Sequence, residues 1–185
     1  MARPIEPTPV KLFSAILYSD EQKLPQTKEI LIKKFGPIDY TSPSFPFEHS
    51  DYYAAEMGAP IERIFYSFRE LINPGDLAKI KCTTNEIEQL LATANKRPVN
   101  IDAGYLDYGK VVLASMKFHN QKIYLSDGVY ADMNLLYEKG HFKPFEWTFP
   151  DFGDGIYEKV LLHIRNKYKA DIRRVNKQNS EIKQT

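Results

Sequence analysis

The chain has 185 residues, and its 25 lysine and arginine residues nearly balance its 24 aspartate and glutamate residues, for a formal net charge of +1. This length suits one compact domain, and 43% hydrophobic with 26% charged residues excludes a globally disordered chain. The balanced charge argues against a nucleic-acid scaffold, and the apolar runs are far shorter than the roughly 20 residues that span a membrane. No signal peptide is visible, and the single cysteine, Cys82, fits a reducing cytosol.

The pattern predicts a single α+β domain over residues 10–170, between an extended, proline-containing lead-in (1–9) and a polar, disordered tail (171–185). A near-continuous apolar run at 10–19 predicts a strand buried on both faces. The helical pattern that follows it ends at Gly36-Pro37.

The next stretch contains prolines at 43 and 46, which confine any strand to a sheet edge. Ser50 is placed to cap a short helical turn. Alternation predicts a strand at 61–71, and Asn73-Pro74 then begins a helix. In that helix Thr83 and Glu86 have the spacing of a capping box, which would divide it into two pieces.

Residues 97–105 are predicted to form another strand, whereas the segment 106–118 is ambiguous. Lys110, Leu113 and Lys117 have helical spacing, although Val111-Val112 favours a strand, and we predict a helix. Asp127-Gly128 predicts a β-hairpin, Lys139-Gly140 a second turn, and residues 156–168 a closing amphipathic helix.

The predicted order begins β-α-β-β-α-β, which is the ferredoxin-like order. A β-meander and a C-terminal helix extend it. We therefore predict an α+β fold with a mixed or mostly antiparallel sheet and helices on one face.

The predicted strand at 97–105 carries two polar side chains on one face, because Asn100 and Asp102 are two residues apart. The strand continues into Gly104, where a ligand could approach the backbone closely. Polar groups at the end of a strand are typical of a ligand crevice. The alternative, that both side chains only face water or cap a turn, stays open.

The same segment nearly matches a phosphate-binding loop. Gly104, Gly109 and Lys110 occupy the fixed positions of G-x-x-x-x-G-K-[ST], but Val111 stands where a hydroxyl must hold Mg²⁺. Asp107 would also repel phosphate, so chance or packing is the favoured explanation.

The sequence suggests a set of ligand-binding residues but no catalytic residue, cofactor or metal site. The histidines are far apart and no second cysteine is present, so spacing indicates no metal ligands. The candidate ligand-binding residues are Asn100, Asp102, Tyr105, Lys110, Lys117, Asp127, Tyr130 and Asp132.

Several longer segments carry a family resemblance, among them "FPFEHSDYYAAEMG" at 45–58, "SFRELINPGDLAKIKCTTNEIE" at 67–88 and "NIDAGYL" at 100–106. Together they resemble the bacterial and archaeal family known as domain of unknown function four-four-one-six, over about residues 8–170. The resemblance implies no catalytic residues. Its members often carry the label "GTP-binding protein", which implies nucleotide binding without a motif to support it.

We expect a cytosolic protein that binds a small molecule or nucleotide, with GTP among the candidates, at the end of the 97–103 strand. One alternative is a non-catalytic module that binds RNA or another protein, through an aromatic sheet face for RNA. A second is a metal-assisted hydrolase that uses Asp102, Asp127 and Asp132. A small molecule is a better expected partner than nucleic acid, no membrane partner is expected, and the sequence indicates no oligomeric state.

Overall fold

The computed structural model describes residues 3–48, 53–93 and 96–182, in which helices pack on a β-sheet. The strands are β1 (Val10–Tyr18), β2 (Ile38–Thr41), β3 (Phe45–Pro46), β4 (Glu62–Ile72), β5 (Val99–Leu106), β6 (Lys110–Ser115), β7 (Ile123–Ser126), β8 (Val129–Glu138) and β9 (His141–Pro144). The α-helices are α1 (Leu24–Phe35), α2 (Ala54–Met57), α3 (Leu77–Leu91), α4 (Pro150–Gly153) and α5 (Glu158–Ile182).

The strands form a nine-stranded sheet in the order β2-β4-β1-β5-β6-β8-β7, with β3 beside β4 and β9 beside β8. The pairings within the described chain are antiparallel. The part β2-β4-β1-β5, with its connecting helices α1 and α3, has the ferredoxin-like arrangement. The hairpins β7–β8 and β8–β9 form the predicted meander, whereas β6, in the segment predicted to be a helix, pairs with the other edge of β8. The predicted α+β class with its ferredoxin-like order is confirmed.

Helices cover both faces of the sheet, which corrects the prediction of helices on one face only. Alternation along β1 explains this, because Leu12 and Ile16 pack against α1 and α3, whereas Phe13 and Ala15 pack on the opposite side. That opposite side is covered by α5. Burial of β1 on both faces accounts for its near-continuous apolar sequence.

The segment 106–118 is not a helix, contrary to the prediction, because residues 107–109 form a turn and β6 follows. Val111 packs in the core with α5, and Val112 packs on the opposite face with Leu77 of α3. A strand that is covered on both faces does not alternate between polar and apolar residues. The helical spacing of Lys110, Leu113 and Lys117 therefore does not indicate a helix here.

Two further helix predictions also need correction. The helix α3 runs unbroken from Leu77 to Leu91. The hydroxyl of Thr83 donates to the carbonyl oxygen of Lys79 at 3.0 Å instead of capping a second helix. Residues 171–182, predicted as part of a disordered tail, continue α5 to Ile182. The predicted cap Ser50 lies outside the described residues.

A buried ion-pair network attaches α5 to the sheet. The side chain of Lys11 on β1 is fully buried, and its Nζ lies 2.6 Å from Asp39 Oδ2 and 2.6 Å from Asp171 Oδ2 on α5. Ser67 also donates a hydrogen bond to Asp39 at 2.5 Å. Burial would raise the pKa of Asp39, but the hydrogen bonds and charge from Lys11 and the bond from Ser67 outweigh it and lower the pKa.

No helix in the described part of the chain has the length and apolar character that crossing a membrane requires.

Candidate functional site

The sheet opens between β5 and β6. The two strands pair from Leu106–Val111 to Gly104–Leu113, while β6 continues to pair with β8 as far as Ser115. Residues 99–103 of β5 therefore face a gap instead of a neighbouring strand on this side.

Gly104 occupies the point at which β5 and β6 separate. A Cβ atom there would lie 2.6 Å from the carbonyl oxygen of Val112, 2.8 Å from Leu113 Cδ2 and 2.9 Å from Phe13 Cζ. Glycine is required here by close packing of β1, β5 and β6, and not by approach of a ligand. The expectation of a ligand at Gly104 is corrected accordingly.

Side chains from α3 take the place of the missing strand along β5. Lys81 Nζ donates a hydrogen bond to the carbonyl oxygen of Ile101 at 2.9 Å, and Glu88 Oε1 accepts one from the Ile101 amide at 2.6 Å. Both backbone groups would otherwise be buried without a partner at this open edge. The gap is thus a stable part of the fold.

Glu88 connects this edge to the chain that leads into β5. Its second carboxylate oxygen accepts a hydrogen bond from Arg97, which also binds Glu56 at 3.0 Å. Burial raises the pKa of Glu88, although Lys81, the Ile101 amide and Arg97 favour the charged form.

The gap forms a cleft of about 260 Å³. Its walls are α3, β5, the end of β6 with the loop that follows, and the aromatic ring of Phe149. Cationic side chains outnumber carboxylates in this lining, with Lys81, Arg97, Lys117 and Lys122 against Glu88 and Asp102.

Asn100 and Asp102 lie on the same face of β5, as their spacing predicts, and both line the cleft. Asn100 Nδ2 donates to Asp102 Oδ1 at 2.9 Å, and Arg63 Nη1 donates to Asp102 Oδ2 at 3.1 Å. Burial would raise the pKa of Asp102, but the charges of Arg63 and Lys81 and these hydrogen bonds lower it. Asp102 is therefore ionised at neutral pH and suits an accepting role more than proton transfer.

Arg63 links the cleft to the loop that carries Phe149. Besides Asp102 it contacts Asp151 of α4, with Nε 3.0 Å from Asp151 Oδ2. The Arg63 side chain is 96% buried. Its guanidinium carbon lies 5.5 Å from the ring centroid of Phe152 and 5.8 Å from that of Tyr157. Burial would lower the pKa of Arg63, but the two carboxylates raise it, so its charge is permanent.

The structure brings some of the predicted ligand-binding residues together. Asn100, Asp102 and Lys117 line the cleft. Asp132 lies beside it, because its Oδ2 is 3.4 Å from Nζ of Lys122, a cleft residue.

The other predicted residues lie elsewhere. Tyr105 packs on the α3 side of the sheet, where burial raises its pKa. Lys110 forms an ion pair with Asp107 in the turn between β5 and β6. Asp127 has a φ of 53° in the hairpin turn, and Tyr130 makes edge-to-face contacts with Phe118 and Tyr124. None of the four lines the cleft in the described part of the chain.

The near match to a phosphate-binding loop has no structural basis. Gly104 lies within β5, Gly109 lies in a turn, and Lys110 begins β6. A phosphate-binding loop requires a helix after the glycine-rich turn, and here a strand follows. The glycines and the lysine therefore serve a β-hairpin.

The two alternative functions gain no support from the geometry. Within the described residues no three histidine, cysteine, aspartate or glutamate side chains are grouped so that they could hold a metal ion. This gives the hydrolase hypothesis for Asp102, Asp127 and Asp132 no assembled site. An open aromatic sheet face for RNA is also missing from β1, β4 and β5, since both sides of these strands are buried by helices in the described structure.

Sequence reasoning missed the contribution of α3. Lys81 and Glu88 are seven residues apart, and they lie on the buried stripe that also contains Leu77, Ile80 and Leu91. Charged residues on the apolar stripe of a helix are the signal that could have identified them. Lys122, Arg97 and Arg63 gave no comparable signal, because their roles depend on where the strands diverge.

A comparison with protein-family models matched residues 8–168 to the family described as "Domain of unknown function (DUF4416)". Because the match covers most of the chain, the protein belongs to this family. Comparisons with curated proteins and with solved structures found no match.

Proposed function

We propose that the cleft between β5 and β6 binds a small anionic molecule that carries a phosphate group, of mononucleotide size or smaller. The observation that carries this proposal is the opening of the sheet into a cavity lined by four cationic side chains and two carboxylates. Small-molecule sites commonly measure roughly 300–1,000 Å³. A cleft of about 260 Å³ therefore suits a compact ligand.

The charge distribution supports an anionic ligand, because both carboxylates already have cationic partners. Glu88 accepts a hydrogen bond from Arg97, and Asp102 accepts one from Arg63, which is not itself a lining residue. The lysines that follow β6, Lys117 and Lys122, add further positive charge to the lining. A phosphate is attracted to such a surface and accepts charge-assisted hydrogen bonds from it.

An aromatic wall supports a ligand with a ring. Phe149 lines the cleft with 43% of its surface exposed, and Lys122 Nζ lies 5.7 Å from its ring centroid. A ring stacked on Phe149 would bury apolar surface beside the charged half of the site. A cytosolic metabolite such as a nucleotide meets these requirements, and the lone Cys82 fits that reducing compartment.

Calorimetric titration tests the proposal with inorganic phosphate, ribose 5-phosphate and nucleoside mono-, di- and triphosphates including GTP. We expect at least one phosphorylated compound to bind. Substitution Lys117→Ala should weaken that binding at least about tenfold, since a hydrogen bond to a charged group contributes roughly 1.5–3 kcal/mol. Lys143→Ala is the matched control, because Lys143 on β9 is an exposed lysine paired with Glu138 at the end of β8, outside the cleft lining.

The melting temperature of the protein provides a second measurement of binding, since a ligand present at about 100 times its dissociation constant adds roughly 2.7 kcal/mol to the free energy of unfolding. Absence of any response across the panel would refute the proposal. Equal affinity in wild type and Lys117→Ala would also count against the cleft as the site.

A further inference from the structure

A second cavity adjoins the cleft and shares Lys122 and Phe149 with it. This cavity measures about 500 Å³, and Asp132, Trp147, His119 and Glu146 also line it. We propose that it holds the planar heterocyclic part of the ligand, and that Asp132 selects a ring with two adjacent N–H donors. This inference rests on the proposed function, since the phosphate of the same ligand would occupy the cleft.

Asp132 is a buried carboxylate with unused acceptor capacity. Its side chain is 1% exposed, and within the described structure neither carboxylate oxygen has a hydrogen-bond partner. Buried polar groups in native proteins are nearly always hydrogen-bonded, and an unsatisfied one calls for an explanation. An ionised carboxylate accepts through both oxygens, so a donor pair from a ligand would satisfy it.

Lys122 balances the charge of Asp132 without hydrogen-bonding to it. The distance from Lys122 Nζ to Asp132 Oδ2 is 3.4 Å, longer than the roughly 2.7–2.9 Å of a charge-assisted hydrogen bond. The ammonium instead donates to Ser115 Oγ at 2.8 Å. A cationic ligand group would be repelled by Lys122, so the donors that fit Asp132 are neutral N–H groups.

The aromatic residues around the cavity fit a flat ring. Trp147 and Phe149 are 40% and 43% exposed. The indole of Trp147 is held in place by its Nε1–H, which donates to the carbonyl oxygen of Met133 at 3.0 Å, and by stacking on Phe145 at 4.8 Å. Exposed rings held in fixed positions provide stacking surfaces for a planar heterocycle.

Lys122 couples the two cavities, because it lines both. A phosphate in the cleft draws the ammonium towards itself and away from Asp132. The carboxylate then accepts the N–H donors of the ring, so one ligand satisfies both members of the ion pair.

Three nucleotides that differ in their donors provide the test. Guanosine 5′-monophosphate presents two adjacent N–H donors, inosine 5′-monophosphate presents one, and adenosine 5′-monophosphate presents one donor beside an acceptor. Calorimetry of the wild-type protein should show the guanosine compound binding at least tenfold more tightly than the inosine compound, with the adenosine compound weakest. Equal affinities for the three would overturn the inference and leave the proposed function intact.

The variant Asp132→Asn should remove this preference while ribose 5-phosphate binds at least as tightly as it does to wild type, because Lys122 then has no carboxylate to leave. Asp127→Asn is the matched control, since Asp127 is an exposed carboxylate in the turn that joins β7 and β8. A preference that survives in Asp132→Asn would overturn the role of Asp132. Failure of all three nucleotides to bind would also overturn the inference, and only failure of every compound in the phosphate panel would refute the proposed function.

Discussion

Substitution Gly104→Ala tests whether close packing of β5 and β6 fixes the position of the cleft. The added Cβ would lie 2.6 Å from the backbone oxygen of Val112, and contacts shorter than 3.0 Å are essentially never observed for real Cβ atoms. The strands must therefore move apart by at least about 0.4 Å, the difference between these distances. Because Phe13 and Leu113 also lie within 3.0 Å, no single side-chain rotation relieves the contacts.

Overpacking of a well-packed core costs roughly 1–3 kcal/mol. We expect Gly104→Ala to lie at the upper end, about 3 kcal/mol, because one of its contacts is backbone. For a chain of this length, about 1 kcal/mol corresponds to a change of roughly 2–4 °C in Tm. The predicted loss is therefore about 6–12 °C, measured by circular dichroism during heating and by urea unfolding.

Gly109→Ala is the control for this experiment. Its nearest neighbour to an added Cβ is Asp107 Oδ1 at 3.9 Å, so it should change stability by less than about 0.5 kcal/mol. A phosphate-binding loop would predict the reverse pattern, with both glycines needed for ligand binding and neither for stability. If Gly104→Ala were as stable as wild type, the packing explanation for the opening of the sheet would be wrong.

Three other predictions concern stability. Glu88→Ala should cost about 3–5 kcal/mol in urea unfolding, because it leaves the buried Ile101 amide without its acceptor and the buried ammonium of Lys81 without a nearby counter-charge; a cost below 1 kcal/mol would contradict the role of Glu88 at the open edge. The lowered pKa of Asp39 stabilises the fold above the ordinary carboxyl pKa, and this contribution is lost as the pH falls through the folded-state value. Asp39→Asn should therefore be less stable at neutral pH and show a shallower acid dependence, and an unchanged acid slope would contradict this. Deletion of residues 171–185 should destabilise the protein by several kcal/mol, because it removes the buried side chains of Asp171 and Ile172, whereas a disordered tail would be lost without effect on Tm.

The strand order could be predicted because local signals and core burial agree along most of the chain. Asp127-Gly128 forms the predicted hairpin turn, and Gly36 with a φ of 85° ends α1 as predicted. The predicted helix at 106–118 was wrong because β6 is buried on both faces, as Val111 and Val112 show, and therefore lacks the alternation of polar and apolar residues that marks a strand. A helix and a doubly buried short strand present the same apolar run.

The candidate site was only partly predictable. The spacing of Asn100 and Asp102 is sufficient to place them on one face of β5, and the structure places a cavity there. The remaining lining comes from α3 and from the loop after β6, and it depends on the point at which β6 leaves β5. That point is set by tertiary contacts of Gly104 with Phe13 and Leu113, which one sequence does not reveal.

The buried ammonium of Lys11 has a consequence for the order in which the protein matures on the ribosome. Its counter-charges come from residue 39 on β2 and from residue 171 on α5, which is synthesised later. Chains fold as they emerge, from the N-terminus onward. Until α5 has left the exit tunnel and docked, Lys11 therefore has only one of its two carboxylate partners, and the apolar face of β1 that α5 buries stays uncovered.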